Sequence, residues 1–152
     1  MARFKRPPRM TFLDHQNFWK EATGRKRRPD WLRIFVTLKH DICVFKKTVT
    51  PDVKAEVITN LIIPAGARVF VTPGKCRADR AIVFSNVTRQ YKREIPSACS
   101  LRGSVTSWWS SPFTYRRGEQ VLPDCFSHSI QECAGGIHFF VDLNDALDYM
   151  LV

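Results

Sequence analysis

Between residues 31 and 88, apolar side chains arrive in short β-branched and aromatic runs, broken by turn residues at intervals of roughly ten positions. Residues 31–38 (WLRIFVTL) and 42–49 (ICVFKKTV) predict two strands, with Lys39-His40-Asp41 between them as a hairpin turn. Thr50-Pro51-Asp52 marks the next turn. A third strand over 53–63 alternates at Val53, Ala55, Val57 and Thr59, until Pro64-Ala65-Gly66 ends it. Residues 68–72 and 81–85 predict a fourth and a fifth, the fourth closed by Pro73-Gly74. This spacing predicts a mainly β fold, α+β at most: an antiparallel sandwich or roll, not βαβ units.

Farther along, the pattern changes. Residues 99–122 are small, hydroxylated and aromatic, and suit either a β-arch or a surface loop bearing Trp108-Trp109. Phe113-Thr114-Tyr115 predicts a short strand running into a turn at 116–119. A last strand over 137–141 puts Ile137, Phe139 and Val141 on one face, against His138 and Phe140. Asp142 then caps a closing helix over about 143–150, with Asp145 three residues on, where it complements the helix dipole. The helix is expected to fold back and set Ala146, Leu147 and Met150 on the apolar face of that strand.

The first thirty residues follow neither period. Arg3, Lys5, Arg6 and Arg9 surround Pro7-Pro8, which enforces an extended start. Thr11 or Asp14 suits the cap of a short helix through Phe12, Phe18 and Trp19, ending near Gly24. A second basic run, Arg25-Lys26-Arg27-Arg28, stops at Pro29. The division expected is a basic-aromatic extended arm over 1–30 and a single β-rich domain over 31–152. A solvated tail is one reading of such a charge block. The interleaved Phe4, Phe12, Phe18, Trp19 and Trp31 favour an arm that docks on a partner, because solvated tails are poor in aromatics.

Charge sharpens the contrast between the ends. The net charge is +10. Residues 1–33 carry ten Lys/Arg against three Asp/Glu, while residues 118–152 carry six Asp/Glu and no Lys or Arg. Such a field attracts polyanions or acidic protein surfaces without choosing between them. The five cysteines, Cys43, Cys76, Cys99, Cys125 and Cys133, form no close pairs. With no apolar leader after the basic start, they fit a reducing compartment and small buried hydrophobes. No apolar run approaches the roughly 18 residues of a spanning helix.

Several stretches carry a resemblance to a known family. They are Ile63 to Val69 (IPAGARV), Lys75 to Val83 (KCRADRAIV), Phe113-Thr114-Tyr115 with Gly118, and Cys133 to Phe140 (CAGGIHFF) followed by Ala146 and Tyr149. From residue 61 to the end the chain resembles a small domain of unknown function found in nucleocytoplasmic large DNA viruses, often beside pentapeptide-type repeats. The resemblance implies a β-rich module of viral origin and no reaction. This chain departs from that pattern in having no repeats. Its most specific residues, Cys133, Gly135, Gly136, His138, Phe139 and Phe140, are expected to be structural. Gly135-Gly136 supplies positive φ or close backbone approach just before the last strand.

Candidate chemistry is sparse. Cys125, His128, Cys133 and His138 show the 2-4-4 spacing of a zinc knuckle with the ligand order wrong. His138 would also have to leave a strand whose neighbours belong to the core, so buried thiols and a hydrogen-bonded histidine are the default and no metal is expected. A Cys133 nucleophile with His138 or His128 lacks an orienting group and an oxyanion site. No cofactor motif is present. Lys75, Arg77 and Arg80 form a second basic cluster, and Arg89, Lys92 and Arg93 a third; both read as solvated faces, or as part of an anion-binding surface together with the arm.

The expectation is therefore a non-enzymatic structural protein of a large DNA virus, a minor capsid or cement component. It would reside in the virion and, during assembly, in the host cytoplasm, with other viral capsid proteins as partners. Phe12, Phe18, Trp19 and Trp31 would be the arm's apolar anchors and Arg25, Lys26, Arg27 and Arg28 its charged contacts; Trp108 and Trp109 are further partner-binding candidates. The alternative is a basic virion or nuclear protein that binds nucleic acid or another polyanion. A host-directed adaptor gripping through Trp108-Trp109 leaves the arm without a task.

Overall fold

The computed structural model of this chain describes residues 18, 20, 33–100, 113–129 and 135–149. Along these residues run β1 (Ile34–Thr37), β2 (Ile42–Val49), β3 (Glu56–Ile63), β4 (Arg68–Val71), β5 (Cys76–Ala78), β6 (Ala81–Thr88), β7 (Glu94–Ile95), β8 (Ser97–Cys99), β9 (Thr114–Arg116), β10 (Gln120–Val121), β11 (Ile137–Phe139) and helix α1 (Leu143–Asp148). The molecule is mainly β with a short C-terminal helix. The extended arm assigned to 1–30 lies outside the described residues except for Phe18 and Lys20, which are both helical.

The strands make two antiparallel sheets. One has the order β1-β4-β5-β11; the other runs β10-β6-β3-β2-β8-β9, with β7 alongside β6. Since β1 pairs with β4 and β2 with β3, Lys39-His40-Asp41 is not the expected hairpin turn. It carries the chain from one sheet to the other. The cause is local: Leu38 N donates to Ala67 O at 3.0 Å and Gly66 N to Leu38 O at 2.8 Å, so the turn after β3 captures the end of β1.

The inner faces meet in one core. Ile42, Val44, Leu61, Ile63, Ala81 and Val83 from the larger sheet pack with Val69, Val71, Cys76, Ala78, Ile137 and Phe139 from the smaller. Phe18, only 1% exposed, completes this core from the opening segment. β3 buries seven of its eight residues, so both its faces are covered: Ile58 and Ile62 are buried on the outward face as Leu61 and Ile63 are on the inward one. In β6, Ser85 pairs with Asn60 and Val83 with Leu61, which leaves Phe84 as the extra residue of a bulge.

The larger sheet bends until its ends join. β9 pairs with β8 at one end, β10 pairs with β6 at the other, and the turn at 117–119 links them. Gly118 N donates to Val83 O at 2.8 Å, and Val83 N to Glu119 O at 3.0 Å. Inside this bend runs a directed polar chain. Tyr115 O can only accept, so Asn86 must aim Nδ2 at it, at 2.9 Å, and present Oδ1 to Thr59 Oγ1 at 2.7 Å. Thr59 has then spent its proton, and Thr48 must donate to it, at 2.8 Å.

Candidate functional site

The outward face of the smaller sheet carries its most unusual side chain. Register places Phe35 opposite Phe70, Phe70 opposite Arg77, and Arg77 opposite His138, so the four form a row across β1, β4, β5 and β11. Arg77 is fully buried in this row. Its Cζ lies 4.6 Å from the ring centre of Phe70, 5.6 Å from Phe35 and 5.4 Å from Phe126, a cage that suits a weakly hydrated planar cation.

A charge so enclosed needs acceptors, and a segment crossing the sheet supplies them. Arg77 Nη1 donates to Ser127 O at 2.6 Å and Gly135 O at 3.0 Å, and Nη2 donates to Ser129 O. Three carbonyl dipoles thus converge on the guanidinium. Burial lowers its pKa, a shift that the nearby Cys125 sulfur partly opposes. The rings of Phe126 and His128 rest near Phe35, at 5.9 and 6.0 Å between centroids. Residues 124–129 thus form a strap fastened over the sheet by one arginine.

The two glycines make room for the strap. A Cβ on Gly135 would stand 2.5 Å from Cys125 Sγ and 2.8 Å from Cys125 O. Gly136 has φ +146°, and a Cβ there would press on Arg77 Cβ at 3.1 Å and on Phe126 Cδ1 at 3.2 Å. The close backbone approach expected of the Gly-Gly pair is therefore an approach to the strap. Ser127 N also donates to Gly135 O at 3.0 Å.

Beside the strap, basic side chains of the larger sheet hold the acidic C-terminal segment. α1 packs against β2, not on β11 as expected, because Ile137 and Phe139 already face the core. Asp142 caps it as expected, accepting from Asn144 N at 2.8 Å. At the other end, Lys47 Nζ donates to Leu147 O and Tyr149 O, both at 2.7 Å, and Arg89 Nη1 donates to Leu147 O at 3.2 Å. These cations satisfy free carbonyls and face the negative end of the helix dipole. Glu56 joins them, 2.9 Å from Arg89 and 3.7 Å from Lys47, and the hydrogen bond from Arg89 holds its carboxyl below the usual range.

Two further lysines flank the junction of the sheets, where Phe45 and Phe140 exchange backbone bonds of 2.8 and 2.7 Å. Lys46 Nζ donates to His138 O at 3.0 Å, and Lys75 Nζ donates to Tyr149 Oη at 2.9 Å. Burial, helped by the charge of Lys75, lowers the pKa of Lys46 to about 7.

The basic clusters at 75–80 and 89–93 are thus not simply solvated faces. Arg77 is interior, Lys75 lies over the Tyr149 ring, Arg80 pairs with Asp79 at 3.2 Å, and Arg89 is bound to Glu56 and α1. Of the structural set, Gly135, Gly136, His138, Phe139 and Phe140 come together around β11, and Cys133 lies outside the described residues. Of the zinc candidates, Cys125 and His128 sit exposed on the strap and His138 is buried in β11; among the described residues no three His, Cys, Asp or Glu side chains converge on a metal position. Phe12, Trp19, Arg25, Lys26, Arg27, Arg28, Trp31, Trp108 and Trp109 lie outside the described residues. Phe18, expected to anchor on a partner, is instead seated in the chain's own core.

Sequence reasoning missed the role of Arg77. One signal was available: Arg77 stands between Cys76 and Ala78, two small side chains suited to a buried strand, in a stretch otherwise read as loop. Among the described residues no helix is long and apolar enough to cross a membrane. No curated protein and no solved structure matches the chain. Residues 32–146, which contain both sheets, the strap and most of α1, match a family model, and the chain belongs to that family of unknown function, DUF5758.

Proposed function

We propose that this protein is a non-enzymatic structural component of a large DNA virus, a minor capsid or cement protein that joins neighbouring capsid subunits through its opening segment. The observation that carries the reading is the Arg77 clasp. The most elaborate arrangement of polar groups in the domain fastens one piece of the chain to another, as a rigid building block requires. The resemblance of residues 61–152 to a domain of large DNA viruses supplies the setting, namely the virion and, during assembly, the host cytoplasm. Phe12, Trp19 and Trp31 serve as apolar anchors and Arg25, Lys26, Arg27 and Arg28 as charged contacts, while Phe18 fixes the segment to the domain. A short segment that orders on its partner covers a large area with little core of its own.

The test keeps Phe18. Residues 1–10 are deleted and Arg25, Lys26, Arg27 and Arg28 replaced with glutamine, and circular dichroism and melting temperature are compared with those of the unaltered chain. Mass spectrometry of purified particles should then find the variant at least about tenfold depleted, an effect equivalent to about 1.4 kcal/mol of lost contact. Undiminished incorporation defeats the tether. The rival reading, binding to nucleic acid, loses support because Arg77 and Arg89 have internal acceptors. Were six cations to contact phosphates, affinity for duplex DNA would fall about 10³-fold between 50 and 200 mM salt. That slope in a shift assay would replace the capsid reading.

A further inference from the structure

Two turns leave the larger sheet side by side. Val49 pairs with Glu56 at the end of the β2–β3 hairpin, Val57 pairs with Thr88 next to it, and Arg89 N donates to Glu56 O at 3.0 Å. The turns at 50–55 and 89–93 therefore emerge at one end of the sheet, with β3 shared between them. Each pushes an apolar side chain into water. Val53 and Tyr91 are both 77% exposed, and among the described residues Leu122 is the one other large hydrophobic so placed.

The same turns hold every non-glycine residue with positive φ among those described: Lys54 at 60°, Tyr91 at 69° and Lys92 at 51°. Glycine or asparagine would take these conformations at lower cost, and strained residues gather where a surface has a task. Here the strain turns Tyr91 outward at a tip that otherwise needs no aromatic residue.

We infer that this end of the larger sheet docks on an anionic lipid surface, with Val53 and Tyr91 entering the headgroup layer and Lys54, Lys92 and Arg93 meeting its charges. Of the three carboxylates in and beside these turns, two are paired with arginines, which leaves only the Asp52 charge against the three cations. Glu56 lies 2.9 Å from Arg89, Glu94 lies 3.8 Å from Arg117, and Asp52 Oδ1 accepts from Val53 N at 2.6 Å. A protein partner fits less well. A stable interface buries about 800 Å² on each side around an apolar centre, and two separate protruding tips do not offer one. A bilayer interface takes isolated side chains, favours a ring with a polar end, and rewards flanking Lys and Arg.

The full chain should sediment with vesicles of phosphatidylcholine containing about 30% phosphatidylserine, and not with phosphatidylcholine alone, at physiological salt. Tyr91→Gly relieves the backbone strain and Val53→Ser changes an exposed site, so the double variant should keep its circular dichroism and melting temperature. Its binding to the anionic vesicles should fall at least about tenfold. Undiminished binding of the double variant overturns the inference and assigns the effect to the basic opening segment. Absence of sedimentation by the unaltered chain, or equal sedimentation with neutral vesicles, overturns it as well.

Discussion

A guanidinium taken wholly out of water is tolerated only while acceptors surround it, so Arg77 has no neutral replacement of its own shape. Arg77→Leu would leave the carbonyls of Ser127, Ser129 and Gly135 without their donor and should cost about 3 kcal/mol in urea unfolding. Arg77→Lys should recover little of this, because one ammonium cannot serve three carbonyls and also lie flat against Phe70. Gly135→Ala should lift the strap at a cost of about 2 kcal/mol or more. Adding Cys125→Ala should not rescue it, since the carbonyl of Cys125 stays within 2.8 Å of the new methyl. The need for glycine was legible in the motif itself. Its cause was not, because Arg77 is brought to it by strand pairing from 58 positions away, and Cys125 by the path of the strap.

At the scale of elements, long strands were easier to read than short ones. Residues 42–49 form β2 as expected, since eight positions between turn residues leave few alternatives. β5, β7, β8 and β10, of two or three residues each, went unread; they exist because neighbouring strands offer them partners, not because their own residues favour extension. The hairpin expected at 39–41 failed for the same reason, as the partner of β1 lies beyond it. The junction of β2 and β11 also makes stability depend on pH through Lys46. In the unfolded chain its amine titrates near 10.5, and in the folded chain at about 7. Between those values the unfolded chain holds a proton that the folded chain has released, so stability rises with pH across that window; below it, folding must bury the charge. Unfolding by urea should therefore show stability climbing from pH 7 to 9, and Lys46→Met should flatten the climb.

Across the whole molecule, basic side chains brace the closing segment through its neutral acceptors. Lys47 and Arg89 donate to backbone carbonyls at the end of α1 and Lys75 donates to the Tyr149 hydroxyl, so these three cations have partners within the chain. Composition alone gave no sign of this, since net charge carries no record of which face a residue occupies. The directed chain from Thr48 through Thr59 and Asn86 to Tyr115 O binds both ends of the curved sheet into one cooperative unit. Thr59→Val keeps the volume but breaks the chain in the middle, leaving Asn86 Oδ1 without its donor. It should cost about 2 kcal/mol, with fluorescence and circular dichroism falling in a single transition.

The seat of Phe18 in the core sets a limit on geometry. A leash hinged after residue 30 would reach roughly 100 Å, but one pinned at residue 18 can extend no more than about 60 Å, at some 3.3–3.6 Å per residue. Any neighbour grasped by the first residues must then lie within that radius of the seat of Phe18, and lysine-to-lysine crosslinks from Lys5 would map it.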